Sequence, residues 1–130
     1  MSKSENQKQK LLALLDILKK NTDEDHGITM VQILEELEAR GVKAERRAIY
    51  TDIDNLTDYG YEIQGNKKGR TYHYSLISRD FELPELKLLV DAVQASKFIS
   101  QKRSNEVIKK IGSQASRYQT PELQRQVYVA

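Results

Sequence analysis

The chain has 130 residues and a formal net charge of +2, from 21 Lys and Arg against 19 Asp and Glu, a length that allows one core or a small domain with an appendage. It has no cysteine, which excludes disulfides and thiolate metal sites, and no apolar run near the roughly 18 residues of a bilayer span. Because its polar start is unlike a secretory signal peptide, we expect a soluble, cytoplasmic protein.

The first two predicted helices follow from apolar spacing and capping residues. Apolar residues at steps of three and four between positions 11 and 18 predict a helix over about residues 7–20. Thr29, with Gln32 three positions later, forms a capping box that predicts the start of the second helix. Gly41 suits the left-handed cap at its end.

A third helix is predicted over residues 45–56, after a gap of only three or four residues. Ile49, Ile53 and Leu56 set its buried side, and Gly60 ends it. Two short helices joined by such a tight turn are typical of the helix-turn-helix motif.

After Gly60 the spacing of the apolar residues changes from the 3.6-residue period of a helix to the two-residue period of a strand. Residues 61–64 and 71–77 alternate between polar and apolar or aromatic side chains, and residues 65–70 form a glycine-bracketed turn between them. This pattern predicts a two-stranded β-hairpin with a basic tip. Three helices followed by such a hairpin make a winged helix.

The rest of the chain is predicted to be helical again. Pro84 suits the first turn of a helix that we expect to reach about Ser100, with Phe98 on its apolar face. Residues 101–103 are expected to form a connector, and Ser104 or Asn105 to cap the next helix.

A last helix is predicted to begin at Thr120, and residues 126–130 alternate without an end signal, as if the chain were cut there. These C-terminal helices carry apolar stripes but are short for a separate core. We expect them to pack on the wing domain, on a second copy of the chain or on a missing domain. Pairing of two chains would set two recognition helices one DNA turn apart.

The candidate binding residues lie on the outward side of the third helix and at the hairpin tip, because a nucleic-acid binder needs its positive charge on one face. They are Arg46, Arg47, Tyr50, Thr51, Lys67, Lys68 and Arg70. In a major groove, arginine can bond guanine in a bidentate manner, threonine can contact a base and tyrosine can reach a phosphate. The tip can lie along the phosphate backbone or in a minor groove. The alternative is solvated surface.

Acidic residues also lie on the third helix, namely Glu45, Asp52, Asp54 and Asp58. Such a mixture favours sequence reading over uniform affinity, because misplaced acids penalise wrong registers. Asp52 is expected to be a structural partner of a neighbouring arginine or a backbone amide. Tyr72 and Tyr74 share one face of the second strand and are expected to pack rather than stack on bases.

No pattern of an enzyme is present. The two histidines have no companions at metal-ligand spacing, and the sequence lacks a nucleophile elbow, a phosphate-binding loop and a dinucleotide fingerprint. We therefore expect no catalytic residue, metal or cofactor.

Three segments together, residues 21–29, 46–53 and 81–89, resemble the DNA-binding N-terminal half of the WYL-domain transcription regulators, which carry a DeoR-like winged helix. In that family the third helix usually reads Arg-Thr-Ile/Val-Tyr-Arg-Asp/Asn. This sequence matches at four positions, which are Arg47, Ile49, Tyr50 and Asp52. It departs at Ala48 and Thr51, where the family has Thr and Arg, so the bases read cannot be carried over.

The resemblance implies that residues 1–80 are a winged helix-turn-helix DNA-binding domain and that residues 81–130 are a helical linker or dimerisation segment. It also implies a sensor domain beyond this chain, whose ligand is unknown. The prediction is therefore a mainly α protein with a small β-hairpin that binds double-stranded DNA, as a homodimer, in a transcription regulator. A winged-helix protein-interaction module is the alternative, and RNA binding is disfavoured because the aromatics line no stacking platform.

Overall fold

The computed structural model describes residues 3–127, with side chains from residue 6 onward, and the contacts divide the chain between Ser78 and Arg79 into an N-terminal and a C-terminal unit. The described residues are mainly helical, with one small antiparallel sheet. The elements are α1 (Lys3–Asn21), β1 (Ile28–Thr29), α2 (Met30–Ala39), α3 (Arg46–Tyr59), β2 (Ile63–Lys68), β3 (Thr71–Leu76), α4 (Leu83–Ala95), α5 (Gln101–Gly112) and α6 (Thr120–Gln126).

The N-terminal unit has the three predicted helices around one apolar core. In α1, Leu14, Ile17 and Leu18 are fully buried. The predicted capping box begins α2: the Gln32 amide donates to Thr29 Oγ1 over 3.2 Å, and the Thr29 amide donates to Gln32 Oε1 over 3.0 Å. This reciprocal pair satisfies two amides that would otherwise lack partners in the first turn.

The boundaries and buried side of α3 follow the sequence prediction closely. Ile49, Ile53 and Leu56 are buried in the core. Gly60 follows the helix with a φ of 130°, a conformation that favours glycine because it has no Cβ. The helix therefore presents one fixed side to the core and leaves the other to solvent.

The sheet has three strands in the order β1-β3-β2, all antiparallel. The predicted hairpin is present as β2 and β3, but the third strand was not predicted. The added strand, β1, pairs Ile28 with Tyr74 and Thr29 with His73. Two residues are too few to show the period-2 alternation by which strands are recognised.

The turn of the hairpin is also tighter than predicted. Strand β2 continues through Lys68, which pairs with Thr71, so only Gly69 and Arg70 connect the strands. Gly69 takes a φ of 64°, which suits a two-residue hairpin turn. The predicted six-residue turn was wrong because Gly65 was read as a turn residue, whereas it lies within the ladder.

In the C-terminal unit, α4 ends five residues earlier than predicted, at Ala95, and Phe98 is 99% exposed rather than on an apolar face. The Arg103 amide donates to Ser100 Oγ over 3.2 Å, so Ser100 caps α5. Residues 101–103 are therefore the first turn of α5, not a connector. The predicted caps at Ser104 and Asn105 were wrong because Ser100 satisfies the free amides first.

The C-terminal helices pack on one another, which corrects the expectation that they were too short for a core of their own. The buried members of this core are Leu86, Val90, Ala115 and Leu123, with Leu83, Leu89, Ile108, Ile111 and Val127 packed against them. The amide of Gln126 adds hydrogen bonds of 2.7 Å to the Lys87 carbonyl oxygen and to Asp91 Oδ1. The apolar stripes are thus used within the unit.

α6 begins at Thr120 as predicted, whereas residues 128–130 of the alternating end lie outside the described residues. Among the helices described, none has both the length and the apolar character to cross a bilayer.

Candidate nucleic-acid interface

The first turns of α3 expose four of the seven candidate residues. Arg46, Arg47 and Thr51 are exposed, and Tyr50 is 43% exposed. The Thr51 hydroxyl donates to the Arg47 carbonyl oxygen over 3.3 Å. Its proton is therefore used within the helix, and its methyl group and its oxygen lone pairs remain for other contacts.

The hairpin exposes the other three candidates, Lys67, Lys68 and Arg70, but it does not bring them to one side. Successive residues of a strand point to opposite faces, and cross-strand partners share a face. Lys67 pairs with Tyr72, whereas Lys68 pairs with Thr71. Lys67 therefore shares a face with Tyr72 and Tyr74, and Lys68 lies on the opposite face.

The face that carries Lys67 is the one that contacts α3. Tyr50 and Arg46 both lie close enough to Tyr74 to act on it electrostatically. The rings of Tyr72 and Tyr74 meet edge to face with their centroids 5.1 Å apart. This tyrosine cluster (Tyr50, Tyr72 and Tyr74) joins the first turns of α3 to the hairpin.

The electrostatics of the cluster keep Tyr74 protonated. Burial, together with the neighbouring Tyr50 and Tyr72 hydroxyls, raises the pKa of Tyr74 to about 12, and the positive charge of Arg46 opposes the shift. Tyr74 therefore keeps its proton at pH values where an ordinary tyrosine loses it.

Tyr72 lies across the glycine of the opposite strand. A Cβ placed on Gly65 would collide with the Tyr72 ring, so the aromatic ring occupies the space that a side chain would take. This ring packing explains why a glycine is tolerated inside β2.

An open groove of about 550 Å³ separates α1 from α3 beside Arg47. Its lining residues are Gln7, Lys8, Lys10, Leu11, Glu45, Arg47, Ala48, Thr51, Asp52 and Asn55. Among the described residues, neither Lys8 nor Arg47 forms an ion pair. Lys8 is not among the candidates predicted from the sequence, because nothing in the sequence indicates which side of α1 lies next to α3.

Lys10 and Asp52 form an ion pair in this groove, with Lys10 Nζ 3.0 Å from Asp52 Oδ2. Asp52 therefore has the structural role that was expected, but its partner is a lysine of α1 rather than a neighbouring arginine or a backbone amide. Because the pair is internally neutral, the Asp52 carboxylate adds little repulsion toward an anion near Arg47.

The structure gives no metal-binding candidate: no group of three or more His, Cys, Asp or Glu is arranged to hold an ion among residues 6–127. Three acids at α3 remain exposed: Glu45, which directly precedes the helix, and Asp54 and Asp58 within it.

Comparison of the chain with protein-family models, curated proteins and solved structures found no match.

Proposed function

We propose that the chain binds double-stranded DNA with sequence preference, as the winged helix-turn-helix part of a cytoplasmic transcription regulator resembling the WYL family. One observation carries the proposal. Tyr50 and Tyr74 lie close enough to act on each other electrostatically, which places the exposed start of α3 next to the hairpin face that carries Lys67. A helix and a basic hairpin held together in this way suit a major groove and its flanking backbone.

In the proposed complex, Arg46 and Arg47 enter the major groove, where a guanidinium fork can bond guanine O6 and N7. The Thr51 methyl group offers an apolar contact to a thymine methyl, because the Thr51 hydroxyl already donates within the helix. The exposed Tyr50 hydroxyl donates to a phosphate oxygen. Sequence preference then depends mainly on the two arginines.

The hairpin and the α1–α3 groove supply backbone contacts on the two sides of α3. Lys67, on the α3-facing side of the hairpin, contacts the phosphates next to the groove that α3 reads. Lys68, on the other face, and Arg70, in the turn, contact phosphates further out. Lys8 lies in the same groove as Arg47, so it can contact a phosphate on the side away from the hairpin.

We also propose that two copies bind together. A homodimer would present two α3 helices to two half-sites one DNA turn apart. Leu88 and Phe98 of the C-terminal unit are strongly exposed apolar side chains that are available for such a contact.

Selection of bound sites from a random duplex library, repeated at a low and a higher salt concentration, tests the proposal. We expect one enriched motif at both concentrations, with weaker total binding at the higher one, and a palindromic motif if two copies bind. Absence of an enriched motif would contradict sequence preference. Absence of duplex binding at both salt concentrations would favour the protein-interaction module.

A further inference from the structure

The net positive charge of the chain lies in the C-terminal unit. From Arg79 onward the sequence has nine Lys and Arg against six Asp and Glu, a net charge of +3. The sequence up to Ser78 has twelve against thirteen, a net charge of −1. The N-terminal unit as a whole is thus a weaker source of general attraction to a polyanion than the C-terminal unit.

Within the C-terminal unit, α5 collects this charge on one side. Four exposed cations, which we call the basic face of α5, fall within about 120° of the helix circumference at 3.6 residues per turn. They are Lys102, Arg103, Lys109 and Lys110. Ile108 and Ile111 are turned to the core of the unit, and Ser104 is buried. The packing of the apolar side therefore fixes the basic face outward.

Internal ion pairs neutralise the nearby acids but leave the lysines unpaired. Glu106, the acid of this side, is held by Arg103 at 3.1 Å, and Glu122 of α6 is held by Lys87 at 3.1 Å. Among the described residues, Lys102, Lys109 and Lys110 form no ion pair. Three ammonium groups therefore remain, spread over about 12 Å of helix length.

We infer that the basic face of α5 binds the phosphate backbone of duplex DNA without reading its sequence. Lysine suits this task, because its ammonium is a point charge on a flexible stem that does not demand one geometry. Each phosphate that it neutralises releases condensed counterions, which gives affinity that falls with salt. The choice of duplex DNA over another polyanion rests on the proposed function.

The two units would then contribute different parts of the DNA affinity. The N-terminal unit supplies sequence preference, and α5 supplies a large part of the salt-dependent affinity common to all duplexes. Loss of the α5 lysines should therefore weaken binding to cognate and random duplexes by the same factor, and leave the ratio of the two affinities unchanged.

The test compares two triple variants of the full chain by fluorescence anisotropy on a random-sequence duplex over a series of salt concentrations. One variant combines Lys102→Gln, Lys109→Gln and Lys110→Gln, and the matched control replaces the same lysines by arginine. We expect the glutamine variant to lower the slope of log affinity against log salt by about 2 to 3, at about 0.9 per phosphate contact. The arginine variant should keep the slope of the unmodified chain. Circular dichroism confirms that both variants are folded.

An unchanged slope in the folded glutamine variant would overturn the inference and leave the proposed function standing, provided that Arg47→Ala still lowers the preference for the selected site. The reverse result, an α5-dependent slope with no selected site, would overturn sequence preference and support the inference. Vesicles containing an anionic lipid serve as the second probe. If the α5 lysines are required for binding these vesicles and not for binding the duplex, the basic face binds membranes rather than DNA and the inference is wrong.

Discussion

Lys10 of α1 and Asp52 of α3 form a buried ion pair 42 positions apart in the sequence, with only 8% and 11% of the two side chains exposed. Asp52 directly follows Thr51, and both line the groove beside Arg47. The pair therefore fixes α3 against α1 at the level where α3 presents its outward residues. No other ion pair between these two helices is found among the described residues.

Replacing Asp52 by alanine is expected to lower the free energy of unfolding by about 3–5 kcal/mol, because the Lys10 ammonium is left buried without a partner. Urea denaturation followed by circular dichroism measures the loss. The control combines Lys10→Met with Asp52→Leu, which removes both charges and should cost much less. If the single and the double variant lost equal free energy of unfolding, the unpaired charge on Lys10 would not be the cause of the loss.

Stability at high pH should depend on Tyr74. The pKa of Tyr74 is raised to about 12 by burial, from an ordinary value of 10. Between these values the unfolded chain releases the proton while the folded chain retains it, so stability is complete below pH 10 and falls as the pH rises toward 12. We expect Tyr74→Phe to lose less stability than the unmodified chain between about pH 9 and about pH 11. Identical losses in urea denaturation would contradict the raised pKa.

Gly65→Ala should displace the Tyr72 ring, since the added Cβ collides with the far end of that side chain. The backbone can stay in place, so the expected cost is the lost edge-to-face contact with Tyr74, about 0.5–1.5 kcal/mol. Gly112→Ala is the control, because its Cβ meets nothing within 4 Å; in a helix it should be neutral or slightly stabilising. Thermal unfolding of both variants measures the difference. If the Gly65→Ala variant were as stable as the unmodified chain, the packing of Tyr72 against Tyr74 would not contribute to stability.

The hairpin lysines should differ in their effect on DNA binding. Lys67→Ala is expected to weaken binding to all duplexes and to reduce the salt slope by about 1, because Lys67 lies on the hairpin face next to α3. Lys68→Ala is the matched control and should have a smaller effect, since Lys68 points from the opposite face. Anisotropy titrations over a salt series measure both slopes. A larger effect of Lys68 would mean that the other face of the hairpin meets the DNA.

Local signals were enough to predict the helices of the N-terminal unit. The Thr29 capping box, the buried positions Ile49 and Ile53, and the end of α3 at Gly60 all depend on residues within a few positions of one another. Local signals gave wrong helix boundaries where the apolar spacing of one helix overlapped the capping residue of the next. Phe98 continues the apolar spacing beyond the end of α4 at Ala95. This spacing extends the predicted helix to Ser100, although Ser100 caps α5.

The relationships that build the candidate site are not local, and the sequence could not show them. Nothing in α1 indicates that Lys10 pairs with Asp52 or that Lys8 lies in the groove beside Arg47. Strand β1 cannot be recognised from the sequence, because its two residues are a strand only by their pairing with β3. The opposite orientations of Lys67 and Lys68 do follow from strand alternation, but only after the strand is known to extend through Lys68.

The most direct test of the central claim is the ratio of affinities for the selected duplex and a scrambled duplex, measured for the unmodified chain and for Arg47→Ala. The account predicts that Arg47→Ala weakens binding to the selected duplex by about 1–3 kcal/mol and changes binding to the scrambled duplex much less. An unchanged ratio in a folded Arg47→Ala variant would contradict the account, because the exposed start of α3 would then not be reading the DNA.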